Sequence, residues 1–285
     1  MLREQRPEDE KREPTPQEIL QTAKRQASEM STGSKRIGIP VRTRFIRDVN
    51  ASSGEVADTP MNRLVAAGSR DGVTLRLYLA LLWRCSASPF DTDVPTRRWA
   101  ELLALPAPVS TYTRRISSAL KRLEEENLIT VDRTKGRTSV VTLLDESGDG
   151  TPYELPRSSR SPLEHWIRVP ISLWQDDAFY ALGTPGLAML LAILAERNDP
   201  NEPMWWSVSR FEQRIGLTPS TRARGIKQLS EARLLTVQRK KLSNVPGRFA
   251  RDPSRHTYLL RLDDPQHPPK PQGKPKIRPK PKPKT

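Results

Sequence analysis

The chain contains very few of the residues on which metalloenzymes and disulfide-stabilised folds depend. Its 285 residues include one cysteine, Cys85, and three histidines, His165, His256 and His267. A single cysteine excludes an intramolecular disulfide and a thiolate zinc cluster, and no two histidines have the spacing of a metal site. A Gly-x-x-x-x-Gly-Lys-Ser/Thr phosphate loop is also missing. We therefore expect no cofactor, no metal and no enzymatic activity.

Long apolar segments are missing as well, whereas positive charge is in excess. No run approaches the roughly 18–20 apolar residues of a membrane span, and no charged segment followed by an apolar one resembles a secretory leader. The 48 Lys and Arg against 33 Asp and Glu give a net charge of +15. A positive surface attracts polyanions, of which nucleic acid and an anionic membrane both qualify. We expect a cytoplasmic, nucleoid-associated protein with no membrane partner.

One pattern occurs twice in the chain. Residues 120–131, LKRLEEENLITV, return at 226–237 as IKQLSEARLLTV, so that five apolar positions, a Lys, a Glu and a Thr recur at an offset of 106. Upstream, 75–82 matches 187–194 at an offset of 112, and Trp99 with Phe211 keeps that offset. The change of offset places six extra residues of the first copy in the proline-containing stretch 105–110. The period is too long for a solenoid and predicts a duplicated domain.

Each copy has the pattern of an amphipathic helix that turns directly into a strand, followed by a basic loop and a second strand. In this order the segment 94–144, with 119–131 as its most telling stretch, resembles the winged helix-turn-helix superfamily. Residues 184–262 resemble it more weakly, because Arg222 stands where the first copy has the core residue Ile116. The two segments together cover a little under half of the chain. It implies a three-helix fold with a β hairpin, the wing, and DNA binding, but no biological process.

Composition divides the chain into two compact segments with polar flanks. We predict, in chain order, a disordered N-terminal arm over 1–35, an extended arm over 36–60 packing on the first domain, winged-helix domain 1 over 61–145, a linker over 146–161, winged-helix domain 2 over 162–264, and a disordered Lys/Pro tail over 265–285. Residues 16–30 have a helix-start signal at Thr15-Pro16 but are too short to persist alone as a helix. The predicted fold class is therefore mainly α with small β wings, in two tandem domains.

The helices of the first domain are predicted over 73–84, over 97–104 with Thr96 as its cap, and from a cap at Ser110 or Thr111 to Glu126. The core stripe of the third helix is expected to comprise Tyr112, Ile116, Ala119, Leu120 and Leu123. A hairpin of strands 128–132 and 138–144 follows, with Gly136 in its turn.

In the second domain an extended segment over 165–171 is limited by Pro170. A first helix is expected over 186–196 with Thr184-Pro185 as its cap, a second is expected to run from a cap at Ser207 or Ser209 to Ile215, and a third is expected to begin at Thr218-Pro219. The last of these should turn Ala223, Ile226 and Leu229 inward, and strands 234–239 and 255–262 form its hairpin. Of Trp205 and Trp206, one is expected in the core and the other over the sheet edge.

The third helix of this fold lies in the major groove, so residues opposite its core stripe are the expected base contacts. In domain 1 these are Thr111, Arg114, Arg115, Ser118, Lys121 and Arg122, and in domain 2 Ser220, Thr221, Arg224, Lys227 and Gln228. Wing residues usually meet phosphate or the minor groove. The wing contacts predicted are Arg133, Lys135, Arg137, Arg239, Lys240, Lys241, Arg248 and Arg251.

The function expected is sequence-specific binding of double-stranded DNA, in transcription regulation or in plasmid replication or maintenance, because the tandem layout resembles plasmid replication initiators. The alternative is a non-enzymatic chromosome-organising or scaffold protein that uses tandem winged helices on protein partners or coats the nucleoid without specificity. The partners expected are double-stranded DNA, with a second copy of the chain (a homodimer) or other replication and partition proteins as further partners. The sequence leaves the DNA sequence and the oligomeric state open.

Overall fold

The computed structural model describes residues 13–32, 36–48, 55–67, 71–106, 108–134, 136–157, 161, 164–241 and 254–262. Within these ranges the chain is a mixed α and β fold in which helices dominate and the strands form small antiparallel sheets. This agrees with the predicted balance of helix and strand. Residues 1–12 of the predicted arm and the whole predicted tail over 265–285 lie outside the described residues.

Two apolar helices form the centre of the molecule. α4 (Val73–Arg84) has the predicted bounds, and all its residues are buried except Thr74 and Arg84. α8 (Thr184–Glu196) is buried from Thr184 through Ala195. It begins two residues before the predicted start because Gly183 is the N-cap and Pro185 lies in the first turn, where a missing N–H costs nothing. Helices that are apolar on every side must be covered on every side, so other elements surround both.

The elements that follow α4 form a first repeat unit. They are β2 (Asp91–Thr92), α5 (Thr96–Leu102), α6 (Val109–Glu125), β3 (Ile129–Asp132) and β4 (Val140–Leu143), and the antiparallel strands have the order β2-β4-β3. The predicted hairpin is confirmed, with Gly136 at a φ of +82° in the described part of its turn. The predicted caps are wrong. Pro95 and Pro108 occupy the N-cap positions, so that Thr96, Ser110 and Thr111 lie inside the helices.

The elements that follow α8 form a second repeat unit with the same order. Met204 makes an isolated bridge to Tyr258 and is followed by α9 (Val208–Ile215), α10 (Pro219–Glu231), β6 (Leu235–Lys241) and β7 (Ser254–Leu260). Since β6 pairs with β7, the strand order is Met204-β7-β6, the counterpart of β2-β4-β3. Ser207 and Thr218 cap α9 and α10 as predicted, because their hydroxyls accept hydrogen bonds from backbone N–H groups of the first turn.

One strand precedes each of the two repeat units, and these two strands pair with each other. β1 (Gly38–Arg42) and β5 (Trp166–Pro170) pair antiparallel, and the predicted strand end at Pro170 is confirmed. β1 leads into α2 (Thr43–Ile46) and α3 (Pro60–Ala67), and β5 into a 3-10 turn (Ile171–Gln175) and α7 (Asp177–Ala181). The segment 36–60 therefore does not pack on the first domain alone, because its strand lies against the second half of the chain.

The predicted disorder of 1–35 is wrong for residues 13–32, which contain α1 (Pro16–Ser31). Thr15 and Glu18 form a reciprocal capping box at its start. The helix packs on α5 and on the 3-10 turn and buries Ala23 and Ala27. An isolated helix of this length is marginal in water, so tertiary packing supplies the stability that its sequence lacks.

The predicted linker over 146–161 is also wrong where its residues are described. Glu146 is fully buried, and both its carboxylate oxygens lie 2.7 Å from nitrogens of Arg42, one from the backbone N–H and one from the guanidinium. Tyr153 is buried, and Pro152 bridges to Leu144. Glycine, serine and acidic residues suit an exposed linker and a pinned turn equally well, so composition alone cannot separate them.

The two repeat units meet at the beginnings of their first helices. The backbone N–H of Gly72 donates to the Thr184 hydroxyl at 3.1 Å. The buried guanidinium of Arg76 donates to the carbonyl oxygens of Asp71, Tyr180 and Leu182, which lie on both sides of the contact. Buried residues of α4 and α8 belong to one continuous hydrophobic cluster. The chain is thus built on a single core shared by both units.

Gly72 offers a test of this contact. Its φ is +77°, and a Cβ there would lie 2.7 Å from the Leu187 side chain and 3.1 Å from the Leu182 carbonyl. Gly136 has a φ of +82° with nothing within 4 Å, and is the matched control. A left-handed residue costs roughly 1–2 kcal/mol at either site, whereas overpacking adds about 1–3 kcal/mol only at Gly72. Urea unfolding should show G72A to be the less stable variant. Equal losses for G72A and G136A would contradict the close contact.

Glu146 predicts a pH dependence of stability. Burial raises its pKa to about 7 from an ordinary value of 4.5, against the opposing effect of Arg42. Between these two pKa values the Glu146 carboxyl is therefore protonated in the folded state and ionised in the unfolded chain. The stability that this difference in pKa contributes to the folded state is fully present below pH 4.5 and is lost as the pH rises through 7. Relative to E146Q, the wild type should lose up to about 3 kcal/mol of unfolding free energy across this window.

The measurement is urea unfolding of both proteins at intervals between pH 4.5 and 7.5. The exposed Glu154, substituted by Gln, is the control and should follow the wild type at every pH. A constant difference between wild type and E146Q across the window would show that Glu146 is ionised throughout.

Candidate nucleic-acid interface

One side of α6 is buried and the other carries exposed polar and basic residues. Ile116, Ala119 and Leu123 are buried, and Tyr112 and Leu120 pack against the core as partly buried residues, which confirms the predicted stripe. On the opposite side Arg114, Ser118 and Lys121 are exposed. Lys121 lies 3.8 Å from Glu125 in an exposed pair of the kind that contributes little stability.

Two of the arginines predicted to face outward are instead held by the protein itself. The Arg115 guanidinium lies 2.7 Å from Asp71, which immediately precedes the contact between the units. Arg122 lies 2.8 Å from Glu126 and 3.1 Å from Glu125, and it also donates to the carbonyl oxygen of Arg63. Glu126 is mostly buried and accepts from the Arg63 Nε at 2.6 Å. Thr111 is half-buried.

α10 exposes a smaller set of the predicted residues. Ser220, Arg224 and Lys227 are exposed, and Lys227 pairs with Glu231 at 3.8 Å as Lys121 does with Glu125. The partly buried Arg222 does not disrupt the core, because its guanidinium lies 5.2 Å from the centre of the Phe211 ring.

The predictions for Thr221, Gln228 and Ala223 are wrong. Thr221 is buried behind the Thr218 cap, and Gln228 accepts from the N–H groups of Gly183 and Gly186 at the beginning of α8. Ala223 is exposed. A buried glycine, Gly225, permits close packing instead, since a Cβ there would meet Met189 and the Pro185 carbonyl at 2.3 Å.

The two hairpins carry several of the predicted wing residues. Arg133 lies 2.7 Å from Glu124, and this pair raises the pKa of the arginine and lowers that of the carboxyl. Arg137 and Lys240 are exposed, and the Arg239 Nε donates to the Ser254 hydroxyl at 2.6 Å. Lys135, Arg248, Arg251 and the side chain of Lys241 lie outside the described residues.

A cleft runs along each of the two helices at equivalent places. The first, of about 360 Å³, lies between α6 and the beginning of α4 and is lined by Asp71, Val73, Thr74, Arg114, Arg115, Ser118, Ala119, Lys121, Arg122 and Glu125. The second, of about 410 Å³, lies between α10 and the beginning of α8 and is lined by Asn62, Val65, Ala66, Thr184, Pro185, Gly216, Leu217, Thr218, Ser220, Thr221 and Arg224. Basic residues outnumber acidic ones in both.

Sequence reasoning missed the contacts that orient the two helices. Asp71 holds α6 through Arg115, and Asn62 of α3 donates to the backbone carbonyl of Ile215 at the end of α9. Neither residue belongs to a periodic pattern, and both reach elements distant in sequence, so no local signal could have revealed them.

Trp206 packs against the core, as expected for one of the two neighbouring tryptophans, and Trp205 is more exposed. Trp206 stacks between Phe211 and Tyr258, at ring-centre distances of 5.0 Å and 4.9 Å. Trp205 is 49% exposed, with the Arg255 guanidinium 4.2 Å from its ring centre. One indole therefore packs against the core of the second unit, and the other is half-exposed beside Arg255 of β7.

The described part of the chain has neither a metal-binding cluster nor a membrane-spanning helix. No group of three His, Cys, Asp or Glu residues there could hold a metal ion. Cys85 is buried, and burial raises the pKa of its thiol to about 12, so the reactive thiolate is suppressed. No described helix combines the length and the apolar character needed to cross a bilayer.

In each repeat unit the cleft, the basic helix face and the hairpin thus form a candidate interface. Comparison of the chain with known protein families, with curated proteins and with solved structures finds no match.

Proposed function

We propose that the chain is a double-stranded DNA-binding protein with two winged helices, which contacts the major groove through the outer faces of α6 and α10. The order of helix, strand, two helices and hairpin in each repeat unit is the order of a winged helix. The observation that carries the proposal is the repetition: two equivalent helices, each with a buried stripe, both turn exposed cations away from the core.

The exposed cations have the chemistry needed for the role. Among the described residues Arg114 makes no ion pair, and Arg224 makes only a long hydrogen bond to the Ser220 carbonyl. Free guanidinium groups can bond guanine in bidentate fashion, at about 1–3 kcal/mol per pair. Lys121 and Lys227 have weakly paired, mostly exposed ammonium groups that suit phosphate.

The hairpins extend the same surface. Arg137 of the first unit and Lys240 of the second are exposed on their strands or turns. In this role Arg133 is a weaker candidate, because a partly exposed Glu124 already neutralises it. The biological process is proposed from the layout alone, as transcription regulation or plasmid replication or maintenance.

Loss of the two free arginines should weaken specific binding. In R114A/R224A the affinity for a duplex selected by the wild-type protein from randomised sequences should fall roughly 30-fold or more, from about 1–3 kcal/mol per lost contact. Thermal stability should be unchanged, because neither arginine is held by an ion pair among the described residues. The charge-matched control R25A/R157A, with two exposed arginines on other elements, should bind within a few-fold of the wild type.

Indifference of the purified wild-type protein to duplex DNA at low ionic strength would overturn the proposal. Capture of protein partners without DNA affinity would favour the alternative of a scaffold protein. Equal losses in R114A/R224A and in the control would show that only net charge matters, and would leave a nonspecific coating role.

The basic tail should act on all sequences alike. Residues 265–285 have seven basic and no acidic side chains. Each phosphate neutralised steepens the dependence of log K on log salt by about 0.9. Truncation after residue 264 should therefore flatten the salt dependence of binding and lower the affinity for selected and random duplexes by the same factor. Titrations at several salt concentrations measure both quantities, and a change in base preference would contradict a purely electrostatic role.

A further inference from the structure

We propose that a single chain reads an imperfect inverted repeat, in which two half-sites of opposite orientation are contacted by α6 and by α10. This inference rests on the proposed function and adds the arrangement of the target. It follows from the way in which the two repeat units face each other, and from a difference in the residues that their helices expose.

The contact between α4 and α8 has two-fold symmetry. Thr184 is the counterpart of Gly72 at the offset of 112 that relates the first helices of the units, and these two residues are joined by a hydrogen bond of 3.1 Å. A residue that touches its own counterpart lies close to the rotation axis that relates the two units, as at the two-fold axis of an isologous contact. In a head-to-tail arrangement, counterparts would instead be separated by the full displacement of one unit relative to the other.

The pairing of strands β1 and β5 independently indicates a two-fold relation between the two halves of the chain. Ile39-Pro40-Val41 within β1 corresponds to Val169-Pro170-Ile171 at the end of β5. The two strands pair antiparallel with Ile39 directly opposite Val169, so here too a residue lies against its counterpart. Antiparallel pairing of equivalent strands is itself a two-fold arrangement. Two contacts far apart in sequence therefore define one approximate axis through the molecule.

The basic faces of α6 and α10 flank this axis at the same end. Asp71, adjacent to the Gly72 contact, holds Arg115 of α6 and lines the cleft beside Arg114. Thr184, on the other side of the contact, lines the cleft beside Arg224 of α10. Both faces thus border one junction, and a duplex lying across that junction would meet them in opposite orientations.

The spacing is compatible with one duplex. α6 packs on α4, α4 on α8 and α8 on α10. Packed helices lie about 8–10 Å apart, so three such steps allow the axes of α6 and α10 a separation of up to roughly 30 Å. Successive major-groove segments on one face of B-DNA are about 34 Å apart. The half-sites should therefore be centred about one helical turn apart, or slightly less.

The two half-sites should not be identical, because the free arginine occupies different turns of the two helices. At the offset of 106, Arg114 corresponds to Ser220, and Ser118 corresponds to Arg224. The arginine is displaced by four residues, or about 6 Å along a helix. Lys121 and Lys227 occupy the same position and provide a common phosphate contact. The base pair read by arginine should thus differ between half-sites by about one or two positions along the duplex.

The exchange of Arg and Ser between the two positions of α6 tests the inference. The wild-type protein and R114S/S118R are each used to select duplexes from a library with roughly three randomised helical turns. We expect the wild type to select two inverted, unequal half-sites, and R114S/S118R to change one of them so that the site becomes more nearly palindromic. The complex should contain one chain per duplex by sedimentation. S220R/R224S should change the other half-site in the reciprocal way.

A selected site of two direct repeats, or of a single half-site, would overturn the inference but leave DNA binding intact. A change of both half-sites in R114S/S118R, with two chains per duplex, would show that a homodimer reads the site with α6 alone. Failure of the wild type to enrich any sequence would count against sequence-specific binding itself. Both exchanges involve exposed residues and conserve charge, and circular dichroism should show unchanged folding.

Discussion

The contact between the beginnings of α4 and α8 is the constraint on which the rest of the structure depends. Each helix is apolar around its whole circumference, and one small repeat unit cannot cover all of that surface alone. The units therefore bury their first helices in a common cluster. Close approach requires the left-handed glycine at 72, whose missing Cβ leaves space for Leu187. Because α6 packs on α4 and α10 on α8, this one contact also fixes the relative position of the candidate DNA-contacting helices.

The buried pair of Arg42 and Glu146 has a different role from that of the apolar core. Burying a charged guanidinium beside an ionisable carboxyl is expensive, and the attraction between the two groups in the interior often no more than offsets that expense. The pair joins β1 to a turn about a hundred residues later, and the Arg42 guanidinium also donates to the Glu154 carbonyl. Many apolar arrangements could fill the same volume, whereas few satisfy this set of donors and acceptors. The pair thus favours one register of the chain between the two repeat units.

Periodicity in the sequence was sufficient to predict the three principal helices and the hairpin of each repeat unit. The stripe of Ile116, Ala119 and Leu123 follows from helical spacing, α4 and α9 begin and end within one or two residues of their predicted bounds, and α10 begins at its predicted start. The failures share a physical cause. α1 and the segment around Glu146 resemble disorder and a linker in composition, and are ordered by contacts with residues far away in the chain. Local sequence contains no information on such contacts unless both partners belong to a recognisable pattern.

The lack of local information on distant contacts also limited the prediction of the candidate interface. The predicted contact residues fall into two groups, those that are exposed and those that the protein itself holds. Helical geometry correctly placed Arg114, Ser118, Lys121, Ser220, Arg224 and Lys227 on exposed faces. It could not reveal that Arg115 and Gln228 fasten α6 and α10 to the beginnings of α4 and α8. A contact residue is effective only when its helix is held rigidly, because a mobile helix loses binding free energy to ordering. Arg115 and Gln228 therefore fix the orientation of α6 and α10, from which the exposed side chains can act. Both repeat units have this division between side chains that hold the helix and side chains that are exposed.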